Sequence, residues 1–232
     1  MSTPLITLIG TSHIAEESIK EIKKTLEELQ PEIVAVELDA QRAASLFQEE
    51  KRKISVRDAF HIGLRGFLFA KIGQYVQEKL GKKVGVSPGA EMKTALLWAQ
   101  KNKKEVALID QPIQITLKKF SQNLRWREKF RFVGDFFMGL FAGKKQLKKW
   151  NISTVDLRKV PTQELIHEMM QQMKLRYPSI YKVLVEERNK YMVKQLVKLL
   201  REKQGKKIVA VIGAGHKKGM EELLKNVEIV RA

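Results

Sequence analysis

Two histidines occupy matching places near opposite ends of the chain. Gly10-Thr11-Ser12-His13 follows the apolar run Leu5–Ile9, and Gly213-Ala214-Gly215-His216 follows Ile208–Ile212. Each reads as a buried strand, a glycine turn and then a histidine near a helix start. Imidazole suits a divalent transition metal as ligand, or serves as a general base near neutral pH. The chain has no cysteine and four histidines. Any metal must therefore be held by His, Asp or Glu, and a disulfide framework or thiolate nucleophile is excluded. The competing reading is a pair of tight turns with incidental histidines, because Gly-x-x-His alone is a common pattern.

Glu37 and Arg188 are the next residues placed where their chemistry is conspicuous. Glu37 stands near the carboxyl end of the apolar run Ile33–Leu38, where a carboxylate must be paired, bind a metal or face a cleft. Arg188 interrupts a stripe of Leu184, Met192, Leu196 and Leu199 at helical spacing. A buried guanidinium needs a carboxylate or an anionic ligand, and Glu37 or Glu187 is the expected partner. Glu91 follows Pro88-Gly89-Ala90 at a helix start, either supporting the helix dipole or forming a site wall. His61 and His167 lie on helical patterns without a second ligand at i+3 or i+4, and read as surface or packing residues. Gly213-Ala214-Gly215 lacks the third glycine and the downstream acidic strand end of a dinucleotide fingerprint, which rejects such a cofactor site.

The elements that would position these residues are four short buried strands: Leu5–Ile9, Ile33–Leu38, Val106–Ile109 and Ile208–Ile212. Between the first two, Ile19, Ile22, Leu26 and Leu29 mark one face of a helix that Thr11 or Ser12 can cap and Pro31 stops. Strand, helix, strand in that span predicts a parallel, right-handed crossover. Asp39 can cap a short helix through about Phe47, and a further helix is expected from about Ala90 to Lys101. In parallel sheets, ligands bind outside the carboxyl ends of the strands, so both Gly-x-x-His loops are expected at one sheet end. The expected domain is single, residues 1–232. Its α/β core covers about 1–50, 84–117 and 205–232, with helical insertions at about 51–83 and 118–204.

Composition bounds the rest. The chain is 44% hydrophobic and 30% charged, as a globular protein is, with a formal net charge of +18. No apolar run approaches a membrane span, and no signal peptide is evident. Basic residues and aromatics concentrate between Lys118 and Trp150, opposed by Glu128 and Asp135 alone. That segment is expected to face an anionic membrane surface, or else to pack into the core or a contact between copies of the chain. Nucleic acid is not expected, since no binding motif accompanies the charge.

In order and spacing, several motifs resemble the TraB/PrgY/GumN family. They are Gly10-Thr11-Ser12-His13, Val36-Glu37-Leu38-Asp39 with Arg42, and Gly89-Ala90-Glu91-Met92 with Ala95. Ile109-Asp110 leading to Ile115-Thr116-Leu117-Lys118, Glu187-Arg188-Asn189, and Gly213-Ala214-Gly215-His216 with Gly219 complete the set. The resemblance is to the TraB branch. It implies an α/β fold with a mixed or mostly parallel sheet, shared with the Tiki metalloproteases and more distantly with erythromycin esterase and ChaN proteins. It further implies a divalent-metal-dependent hydrolase, a peptidase acting on peptides or signal peptides, with manganese or cobalt, or zinc, as cofactor. His13, His216 and Glu37 would bind the metal; Glu37, Arg188, Asn189, Glu187 and Glu91 would serve catalysis, Arg188 and Asn189 by orienting substrate or an oxyanion. The rival function is a non-catalytic protein that sequesters a peptide or signal. Two departures stand out: Asp110-Gln111-Pro112 where many relatives have Asp-Arg, and Lys118-Lys119 where many have an arginine. Many TraB-branch proteins continue into membrane helices, so the expectation is a cytoplasmic domain tethered by segments outside this chain. Self-association is a further expected contact.

Overall fold

The structure, a computed structural model, describes residues 5–11, 16–47, 89–123, 125–128, 130–131, 134–135 and 163–229. Four strands form one parallel sheet: β1 (Ile6–Thr11), β2 (Ile33–Val36), β3 (Glu105–Leu108) and β4 (Ile208–Gly213). Their order is β1-β4-β2-β3. The first and last strands are thus neighbours, with Thr11 opposite Gly213 and Ile6 opposite Ile208. β4 also pairs with β2, and β2 with β3. The two central strands are buried throughout, which is why they read as continuous apolar runs rather than alternating ones. β3, at the sheet edge, alternates between half-buried and exposed positions.

Helices cover both faces. On one side α1 (Glu16–Leu29) and α3 (Ala90–Lys101) bring Ile22, Leu26, Met92, Ala95 and Ala99 against Ile9, Val34, Val36, Val209 and Val211. On the other, α7 (Glu187–Glu202) and α8 (Ala214–Ile229) bring Met192, Val193, Leu196 and Met220 against Ile33, Ala35, Ile208, Ala210 and Ile212. Each fully buried aliphatic side chain stabilises this sandwich by about 1.5–3 kcal/mol. The remaining described helices are α2 (Ala40–Leu46), α4 (Ile113–Asn123), α5 (Gln163–Arg176) and α6 (Pro178–Tyr181).

The expected α/β architecture is therefore present, with every strand parallel. Of the caps expected for α1, Thr11 is the last residue of β1, and Ser12 lies outside the described residues. Two local readings change. α7 forms a layer of the core instead of part of the helical insertion expected over 118–204, because Met192, Val193 and Leu196 seal the sheet. The stripe containing Leu184 and Arg188 is also not continuous. Lys182–Glu186 winds as one π turn, in which Glu187 N–H reaches Lys182 O. One extra residue in the turn rotates the downstream helix by about 100° relative to an unbroken α-helix. Leu184 accordingly packs with Phe120, Ile180 and Val183, away from the sheet.

The insertion expected over 51–83 lies outside the described residues, as do His61 and much of the basic aromatic segment. Within that segment Phe120 is buried, whereas Trp126 and Phe130 are exposed beside the exposed Arg125, Arg127 and Arg131. Among the described residues no helix is long and apolar enough to cross a membrane.

Candidate active site at the carboxyl ends of the strands

All four strands run the same way, so Thr11, Glu37, Ile109 and Gly213 leave the sheet at one end. Glu37 continues β2 by one residue, its N–H bonding Val211 O at 3.0 Å. Strand alternation turns its side chain toward α7. There Glu37 Oε2 accepts the Gly213 N–H at 2.6 Å, and Oε1 accepts Arg188 Nη2. The close packing of this corner depends on Gly10, where a Cβ would come within 3.2 Å of Ala214 Cα at the start of α8.

Arg188 is the centre of the network. Its side chain is 15% exposed, against 6% for Glu37 and 0% for Asp110. Nη2 reaches Asp110 Oδ2 at 2.6 Å as well as Glu37, and Nε reaches Asp110 Oδ1 at 3.1 Å. Nη1 donates to Leu184 O at 3.3 Å and lies 3.2 Å from His216 Nε2. All five N–H groups are thus directed at protein atoms, so Arg188 holds the site together and keeps no donor spare for a substrate oxyanion. The expected pairing with Glu37 is present. Glu187 is not a partner of Arg188; it pairs with Lys119 Nζ at 2.7 Å, which also approaches Gln111 Oε1 at 3.4 Å.

His216 Nδ1 is 2.6 Å from Asn189 Oδ1. An amide oxygen accepts, so Nδ1 carries the proton and Nε2 presents its lone pair toward Arg188. Asn189 therefore orients His216 through this buried contact. Glu91 is fully buried in the first turn of α3, in the layer on the other side of the sheet from α7. His167 is exposed on α5 with Lys218 Nζ at 3.3 Å, as a surface histidine. His13 lies outside the described residues.

Asp110, not singled out from residue chemistry, is a main partner of Arg188. Its signal was an acid two residues past the carboxyl end of β3, at the sheet end where Glu37 follows β2. Arg42 Nη2 also bonds Asp110, while Arg42 Nε bonds Asp39 Oδ2 at 2.8 Å. Asp39 caps α2 through the Gln41 and Arg42 N–H groups, as its sequence position predicts, and also accepts Ile113 N–H at 3.1 Å. Among the described residues, three carboxylates against two guanidiniums leave this cluster one negative charge in excess.

For Asp110, burial is the largest single influence and raises its pKa, but the bonds and attraction of Arg188, then Arg42, outweigh it and hold the pKa below the ordinary 3.8. For Arg188, burial pulls its pKa down, and Glu37 and Asp110 more than reverse it. A carboxylate whose folded pKa is lowered contributes stability that is present above its unfolded pKa and is lost as pH falls through its folded pKa. Stability should therefore fall on acidification below about pH 4, and Asp110→Asn should flatten that limb in urea melts at stepped pH.

Whether these residues suit a divalent metal can be judged from the donors. Two ligands of one tetrahedral ion at bonds of about 2.0–2.1 Å stand about 3.3–3.4 Å apart. His216 Nε2 and Glu37 Oε1 are 3.4 Å apart. A metal-binding histidine usually donates its second N–H to an oxygen, as His216 does to Asn189. Both atoms also face the Arg188 guanidinium, which would have to yield Glu37 Oε1 to an ion. Among the described residues no three His, Asp or Glu side chains group as a full ligand set. The pair fits two positions of a coordination shell.

Comparison with known proteins agrees with the motifs. An uncharacterized protein of Methanocaldococcus jannaschii is 34% identical over 227 residues, covering 96% of this chain and 54% of its own length. The TraB domain-containing proteins of Homo sapiens and Mus musculus are 27% and 26% identical over 245 residues, covering 94% of this chain and 62% of their own. The chain thus spans only part of the length of these relatives. The family model for TraB/PrgY/gumN matches residues 2–229. The protein belongs to the TraB/PrgY/gumN family.

Proposed function

We propose that the chain is a divalent-metal-dependent hydrolase acting on peptides, with its site at the carboxyl ends of β1, β4 and β2. The observation that carries this reading is the 3.4 Å approach of His216 Nε2 to Glu37 Oε1, with the ring fixed from behind by Asn189. The excess negative charge of the cluster favours a cation over an anion. His13, two residues beyond the Thr11–Gly213 pair, is the candidate third donor. When bound, a divalent ion such as manganese, cobalt or zinc supplies Lewis acidity toward a carbonyl and toward water. The chain's own part is to orient His216 through Asn189, and to hold Glu37 through the Gly213 N–H and Arg188. Asp110 with Arg42 steadies Arg188 from the far side. The peptide substrate rests on the likeness of the paired Gly-x-x-His motifs to those of Tiki-type metalloproteases.

A second reading has one observation in its favour: Arg188, Glu37 and Asp110 already satisfy one another, as suits a protein that binds a peptide without cleaving it. Peptide-library cleavage followed by mass spectrometry separates the two. Protein stripped with chelator should be inert, and manganese or cobalt should restore cleavage that His216→Ala abolishes. Peptide retention without any cleavage under all metals would establish the binding reading instead.

A further inference from the structure

We infer that Gly219 is a positioning residue that selects the tautomer of His216 through Asn189. Gly219 lies inside α8, one turn beyond His216 and on the same face. Helix propensity favours alanine over glycine at such a position, so a glycine there calls for a local reason. The reason is the approach of α7. A Cβ at 219 would lie 2.5 Å from Asn189 Nδ2 and 3.6 Å from its Cγ, the first well inside van der Waals contact.

Asn189 cannot yield without consequence. Its side chain is buried, and Oδ1 and Nδ2 belong to one rigid planar amide. Turning Nδ2 away from position 219 turns Oδ1 away from His216 Nδ1, 2.6 Å off. The acceptor that holds the proton on Nδ1 is then displaced. A proton on Nε2 could instead bond Glu37 Oε1 at 3.4 Å, but it would oppose the Arg188 Nη1–H at 3.2 Å. The absent side chain at 219 thus keeps the Nε2 lone pair directed into the site. The inference concerns the same site as the hydrolase reading and takes from it only the importance of that lone pair.

Long-range proton–nitrogen correlation spectra of the His216 ring, assigned with His216→Gln, test this without turnover or metal. The whole chain should show a protonated Nδ1 and an unprotonated Nε2. Gly219→Ala should shift the ring toward the pattern of Asn189→Ala. In the double variant, Gly219→Ala should change neither the ring pattern nor the melting temperature for the worse relative to Asn189→Ala, because the alanine then has room. If Gly219→Ala does not fold, a folded double variant still locates the clash at Asn189, and an unfolded one overturns the inference. A Gly219→Ala protein with the wild-type ring pattern and a raised melting temperature would also overturn it, leaving glycine as a matter of helix propensity. Because no step requires metal or peptide, failure here and failure of the hydrolase reading are distinguishable.

Discussion

Arg188→Ala is expected to lower the unfolding free energy by about 3–5 kcal/mol, measured by urea denaturation near neutral pH. The cause lies less in the side chain removed than in the two carboxylates left behind. Glu37 and Asp110 are both buried, and both face the guanidinium. Arg42 also reaches Asp110. Total stability of a domain is about 5–15 kcal/mol, which makes this a large fraction. Arg188→Lys should recover part of it, since one ammonium replaces the charge but not the fork that serves Asp110 twice. Combining Arg188→Met with Glu37→Gln and Asp110→Asn should recover more, because neutral partners no longer need a cation. A wild-type midpoint for Arg188→Ala would mean that water reaches these carboxylates and the network carries little.

Glu37 and Arg188 were legible because a charge inside an apolar pattern is costly unless paired, and that cost does not depend on knowing the fold. The four strands were legible for a related reason: β2 and β4 are buried on both faces and read as unbroken apolar runs. Asp39 as a helix cap follows from local chemistry alone. Other features depend on contacts between distant segments. Asp110 looked like an ordinary residue after a strand until α7 placed Arg188 across from it. The π turn at Lys182–Glu186 has no periodic signature, since a repeat of 3.6 residues reads straight through one inserted residue. Asn189 entered through the family resemblance alone; its contact with His216 depends on the approach of α7 to α8. The same dependence on long-range contact put α7 in the core rather than in an insertion.

The second large effect expected is on metal affinity, and it arises from the two donors 3.4 Å apart. At the proposed site, His216→Ala would remove one donor outright, and Glu37→Gln would put a neutral oxygen in place of an anionic one. Removing Asn189 leaves the ligand but frees its ring, and such outer-shell changes cost about 10–100-fold in affinity. The expected order is therefore wild type, then Asn189→Ala weaker by about 10–100-fold, then His216→Ala and Glu37→Gln weaker still. An ion that must share Glu37 with Arg188 would also bind more tightly in Arg188→Lys if that variant folds, because the single ammonium grips the carboxylate less. Calorimetric titration of manganese into chelator-stripped protein measures all of these directly. The account predicts one ion per chain for the wild type and loss of that heat in His216→Ala; wild-type protein that takes up no divalent ion, or His216→Ala protein that binds as the wild type does, would contradict it.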